Sequence, residues 1–128
     1  MIRAQYFFKD SANGLLAWDV RRLIELSREL PIVHVAIDDI AELDEPHWYT
    51  HEGATPTCRS LLEHMRLIDE ADLDYPIILD HTGRVMDGMH RVCRALRAGR
   101  QRVLAVQFTR TPDPDFVDCD PTRLPYVD

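Results

Sequence analysis

Residues 75–108 constrain the fold more than any other stretch, because short apolar runs and turn signals alternate there with almost no slack. Pro76-Ile77-Ile78-Leu79 is a brief apolar run, the pattern of a buried strand. Thr82-Gly83 turns the chain and Arg84-Val85-Met86 returns it. Met89, Val92, Cys93 and Leu96 recur at helical spacing, and Gly99 falls just past the end of that helix. Arg102 to Phe108 holds Val103, Leu104, Val106 and Phe108 and reads as a strand. Strand, turn, strand, helix and strand in so short a span indicate a small α/β (α+β) domain.

The flanking segments carry weaker signals of the same kind. Ile2 to Phe8, with Tyr6, Phe7 and Phe8, predicts an opening strand, and Ser11-Ala12-Asn13-Gly14 a turn. Val20, Leu23, Ile24 and Leu30 approximate a helical stripe that Pro31 ends. Ile32 to Ile37 is rich in β-branched residues and predicts a strand, followed by a short helical turn over Asp38 to Leu43. Thr55-Pro56 resembles an N-cap followed by proline at the first helical position. Cys58, Leu61, Leu62, Met65 and Ile68 then form the most regular amphipathic stripe in the chain.

A length of 128 residues suits one domain, which we assign to residues 1–111, with residues 112–128 a Pro/Asp-rich extension that wraps the domain or hangs loose. Hydrophobic residues make up 45% of the chain, enough for a core. No apolar run approaches the ~20 residues that cross a bilayer, and the start lacks a signal-like apolar stretch, so a cytoplasmic protein with no membrane partner is expected. A net charge of −7 opposes non-specific attraction to nucleic-acid backbones, which makes DNA an unexpected partner. Cys58, Cys93 and Cys119 form no close pair and fit free thiols. His47 and His51 are four apart, but Pro46 and Gly53 bracket them, so no zinc is expected.

Chemistry concentrates at Asp87-Gly88-Met89-His90-Arg91, where a helix begins. The first N–H groups of a helix lack partners and, with the helix dipole, favour an anion. Gly88 would allow a phosphate close to the backbone, and His90 and Arg91 could add charge-assisted hydrogen bonds. Asp87 suits an N-cap, a magnesium ligand or a base for a hydroxyl proton. An ordinary cap and turn, with a satisfied His90 and a solvated Arg91, fits the same residues. Arg91, Arg94, Arg97 and Arg100 recur every third position, by default as an exposed face.

Taken together, Tyr75-Pro76-Ile77-Ile78-Leu79, Thr82-Gly83-Arg84-Val85-Met86-Asp87-Gly88-Met89-His90-Arg91-Val92, Ala95-Leu96 and Gly99 resemble the ParB/sulfiredoxin superfamily. That resemblance covers about a quarter of the chain and implies a small mixed sheet packed with about three to four helices. Sulfiredoxins use ATP and a cysteine between glycine and His-Arg; Met89 stands there in this chain, so sulfiredoxin activity is not implied. ParB proteins bind CTP with such a loop and use a separate DNA-binding domain, for which this chain is too short. Kinases of free serine carry an Asp-Gly-His-His-Arg-like loop, and Asp87 to Arg91 is most similar to that version. The resemblance therefore implies binding of ATP, ADP or CTP with magnesium through Gly88, Met89, His90 and Arg91. It also implies catalysis by Asp87 with an upstream acid, for which Glu42, Glu45 and Glu52 are candidates and Glu45 the choice. His47, Trp48, Thr57 and His64 are candidate pocket-lining residues, and Trp48 and Tyr49 could stack on a base. The alternatives are a non-catalytic regulatory or interaction module and, with less support, a DNA-binding protein or nuclease.

Overall fold

The computed structural model describes residues 5–50 and 54–126, so His51, Glu52, Gly53 and the first residues of the expected opening strand lie outside it. Strands β1 (Tyr6–Ser11) and β2 (Gly14–Asp19) form an antiparallel hairpin. Its turn is the expected Ser11–Gly14 segment, where the Ser11 hydroxyl donates to the Gly14 carbonyl at 2.6 Å. β2 has no counterpart among the sequence expectations. The chain runs from it straight into helix α1 (Val20–Ser27), with no turn residues between. Asp19 serves both elements: it ends the strand and its carboxylate caps the helix by accepting from the Arg21 N–H at 2.9 Å.

A second, four-stranded sheet has the order β3 (Val33–Ala36), β6 (Arg102–Gln107), β4 (Ile77–Leu79), β5 (Val85–Asp87). β4 and β6 run parallel and the other neighbours antiparallel, so the sheet is mixed. Helices α2 (Cys58–Glu70) and α3 (Met89–Arg97) complete a small α+β domain. The alternation in β4 splits its neighbours between two cores. Ile77 and Leu79 pack with Met89, Val92 and Ala95 of α3, while Ile78 packs with Trp18 and Leu23 from β2 and α1. Each large apolar side chain buried this way contributes ~2 kcal/mol. Among the described residues, no helix is long and apolar enough to cross a membrane.

Several local expectations change. The cap of α2 is Thr57, whose hydroxyl oxygen accepts from the Ser60 N–H at 3.1 Å, and not Thr55. The stripe Cys58–Leu61–Leu62–Met65 does not enter the core, and α2 has no buried residue. In α3 the inward residue is Ala95, while Leu96 is half exposed. The residues after Thr111 run back along the hairpin: Ala17 and Phe116 exchange backbone hydrogen bonds at 3.0 and 3.1 Å, and the Trp18 indole donates to the Pro112 carbonyl at 2.8 Å.

Candidate functional site

The β5–α3 junction sits where strand hydrogen bonding stops and helical bonding has not yet begun. Gly88 makes the transition at φ +111°, a left-handed conformation, and no side chain caps the first turn of α3. A Cβ at Gly88 would come 2.6 Å from Ile77 Cγ2, so this glycine is demanded by packing as well as by backbone angle. Asp87 pairs with Arg91 across one helical turn at 2.8 Å. The same guanidinium donates to the carbonyl of Pro76 at 2.7 Å and of Tyr75 at 3.2 Å. Arg91 therefore ties the loop to the entrance of β4. Arg94 donates to the Ile68 and Asp69 carbonyls, and Arg97 pairs with the Asp69 carboxylate at 2.5 Å, which fastens α3 to the end of α2.

Of the upstream acids, the two described glutamates have very different surroundings. Glu45 is partly exposed and held by both terminal nitrogens of Arg84, at 2.6 and 2.8 Å, and this hydrogen bonding lowers its pKa. Glu42 is only 2% exposed. Its Oε2 accepts from the Val85 N–H at 2.5 Å and lies 3.5 Å from Arg84 Nε, but its buried Oε1 has no hydrogen-bond partner. A carboxylate oxygen in that state costs free energy unless something else engages it.

Beside the loop, Trp48 covers a pair of imidazoles. His64 Nδ1 and His90 Nε2 are 2.8 Å apart, and the rings lie nearly coplanar, 22° from parallel. Both stack on the Trp48 indole, with centroids 4.1 and 4.7 Å away. Burial, then the positive charge of neighbouring His64, His47 and Arg91, pushes the His90 pKa down to about 4. Burial also lowers those of His47 and His64. At neutral pH the pair is an uncharged hydrogen-bonding unit, one nitrogen donating and the other accepting.

A cavity of about 450 Å³ brings Glu42, Glu45, His47, Trp48, Asp87, Gly88, Met89 and His90 together under the aromatic strand β1. A second cavity of about 590 Å³ shares Asp87, Gly88 and His90 and adds Arg91 with the apolar side chains of Ile24, Leu67 and Val106. Thr57 and His64 line neither of these two cavities. Sequence reasoning missed Phe7, Phe8 and Lys9 as lining residues of the first cavity; the aromatic run of the opening strand was the signal available.

No protein-family model, characterised protein or solved structure matches this chain. What the site can do therefore rests on its own geometry. Among the described residues, no group of three or more His, Cys, Asp or Glu side chains is placed to hold a metal ion. Magnesium asks for less, because it binds through one or two carboxylates together with phosphate oxygens and water. The Asp87 carboxylate, with one oxygen held by Arg91 and a place in the first cavity, fits that smaller requirement.

Proposed function

We propose that this chain is a nucleotide-phosphate-binding domain of the ParB/sulfiredoxin type, acting as a magnesium-dependent phosphotransferase on a small hydroxyl compound. The observation that carries this reading is the unpartnered Oε1 of buried Glu42, a residue of the cavity that also holds the uncapped start of α3. The first amides of α3 would receive the phosphates, and neutral His90 would donate one hydrogen bond to them. Arg91 is a positioning residue here, since it holds Asp87 and the loop. Glu42 replaces Glu45 as the base in this reading: Arg84 holds both oxygens of Glu45, whereas it approaches only one oxygen of Glu42 and the other is uncommitted. Transfer would form a bond from the acceptor oxygen to the terminal phosphorus, break the bond to the leaving phosphate oxygen, and pass the hydroxyl proton to Glu42. Magnesium, when bound with the nucleotide, would neutralise charge on the phosphate oxygens, and the rest of the catalysis would be positioning.

Calorimetry with ATP, ADP and CTP in the presence of magnesium tests the binding half, and absence of binding to all of them overturns the proposal. For turnover, phosphorus NMR with free serine and related hydroxyl compounds should detect transfer by the wild type. Glu42→Gln should keep nucleotide affinity within a few-fold and lose transfer by at least ~100-fold. The second reading, a non-catalytic interaction module, is favoured by the exposed apolar face of α2. It expects no transfer and no effect of Asp87→Asn on partner binding.

A further inference from the structure

The two cavities beside the α3 loop are built for different chemistry. The first carries Lys9, Glu42, Glu45 and Arg84 among its lining. The second is walled by the aliphatic side chains of Val20 and Ile24 from α1, Leu67 from α2, Ile78 from β4 and Val106 from β6. The two meet at one wall, because Gln5, Val20, Asp87, Gly88 and His90 line both. A molecule in the second cavity therefore reaches the same loop as a molecule in the first. Its volume of about 590 Å³ lies within the range of small-molecule sites.

The charges of the second cavity narrow what it can take. Its charged lining residues are Asp72, Asp87 and Arg91, and His90 is neutral at pH 7. Asp87 and Arg91 neutralise each other at 2.8 Å, and Arg91 also serves the Tyr75 and Pro76 carbonyls. Asp72, in the turn after α2, forms no ion pair among the described residues. One of its oxygens accepts from the Asp74 N–H at 2.9 Å and the other accepts nothing there. The cavity thus presents one uncompensated carboxylate and no uncommitted cation. It favours a ligand with a single positive charge and an aliphatic body, and it disfavours a carboxylate.

We propose that the second cavity binds an amino alcohol with an aliphatic body, and that this molecule is the acceptor of the transfer. The acceptor role rests on the nucleotide reading; the binding site does not. The aliphatic body would lie among Ile24, Leu67 and Val106, the ammonium at Asp72 and the hydroxyl at the shared wall. There the hydroxyl oxygen would bond to the terminal phosphorus, the bridging oxygen would leave with the nucleotide, and the proton would pass to Glu42 in the first cavity. Calorimetry of the full chain with aminohexanol, ethanolamine and hydroxyhexanoate tests the site. Aminohexanol should bind at least about 10-fold more tightly than ethanolamine, because its added methylenes are buried. It should bind about 5-fold more tightly than hydroxyhexanoate, whose charge is reversed. Asp72→Asn keeps the oxygen that accepts from Asp74 and should weaken aminohexanol about 3-fold. Ala71→Phe, which fills the cavity from the end of α2, should weaken it at least about 10-fold with nucleotide affinity and the far-ultraviolet spectrum unchanged. Equal affinity for aminohexanol and ethanolamine, or a preference for hydroxyhexanoate, overturns the proposal while nucleotide binding stands. Phosphorus NMR should find transfer to aminohexanol exceeding transfer to serine, and binding without transfer overturns the acceptor role. Aminohexanol binding by a chain that binds no nucleotide overturns the nucleotide reading and the acceptor role, and keeps the site.

Discussion

Helices α2 and α3 lie side by side but are committed to the fold in opposite ways. α3 is short, yet Met89, Val92 and Ala95 are buried and three of its arginines are tied to Asp87, to the carbonyls of Tyr75 and Pro76, or to the end of α2. α2 is longer and has the more regular stripe, yet none of its residues is buried. Amphipathic spacing reports that a face needs covering; it does not report what covers it. The domain's own sheet covers α3, and α2 leaves Cys58, Leu61, Leu62 and Met65 exposed. Substitutions should therefore cost most at the start of α3 and least on the outside of α2.

Gly88 should give the largest effect. Gly88→Ala forces a side chain into a left-handed conformation and drives its Cβ into Ile77, which is completely buried and has nowhere to retreat. We expect a loss of ~3 kcal/mol or more in urea unfolding. The measurement also separates two roles for this glycine. Retained stability with lost nucleotide binding would mean that close ligand approach, not packing, requires it.

That ambiguity was already present in the amino-acid sequence, where Asp87-Gly88 announces a helix start but not the side chain packed against it. Elements were legible where punctuation is strong: the β4–β5 turn at Thr82-Gly83, the Gly99 stop after α3, and the turn before β2. β2 itself was not, because Asp19 serves strand and helix at once and leaves no break to read. In the site, His64 stood outside the apolar stripe and does turn to the loop, where it meets His90. The choice between Glu42 and Glu45 was invisible. It depends on Arg84, which returns from a distant hairpin to hold Glu45, and on Val85, whose N–H fixes one oxygen of Glu42 and leaves the other bare.

An intermediate effect is expected from pH, at the contact between the two helices. The His90 imidazole faces His64 from α2, His47 and Trp48 from the preceding loop, and Arg91 from its own helix. Unfolded, it takes a proton near its ordinary value of 6.5; folded, it waits until about 4. Between those values the unfolded chain holds the extra proton, so stability is intact above pH 6.5 and falls as the pH drops toward 4. Allowing for solvent screening, the loss by pH 5 should be ~1 kcal/mol. Urea melts at pH 7 and pH 5 should find this slope in the wild type and a flatter one in His90→Gln. Parallel slopes would mean that the imidazole pair accepts its first proton without strain.

The smallest effect should come from Leu62→Gln. Leu62 projects from the most regular stripe in the chain, and a reading from spacing alone would assign it a core residue's cost of ~2 kcal/mol or more. At 65% exposure, most of its surface is already in water, so the substitution removes little transfer free energy, and glutamine is as good a helix former as leucine. The expected change is within ~0.5 kcal/mol. A large cost would place Leu62 in a core after all and end the contrast between α2 and α3.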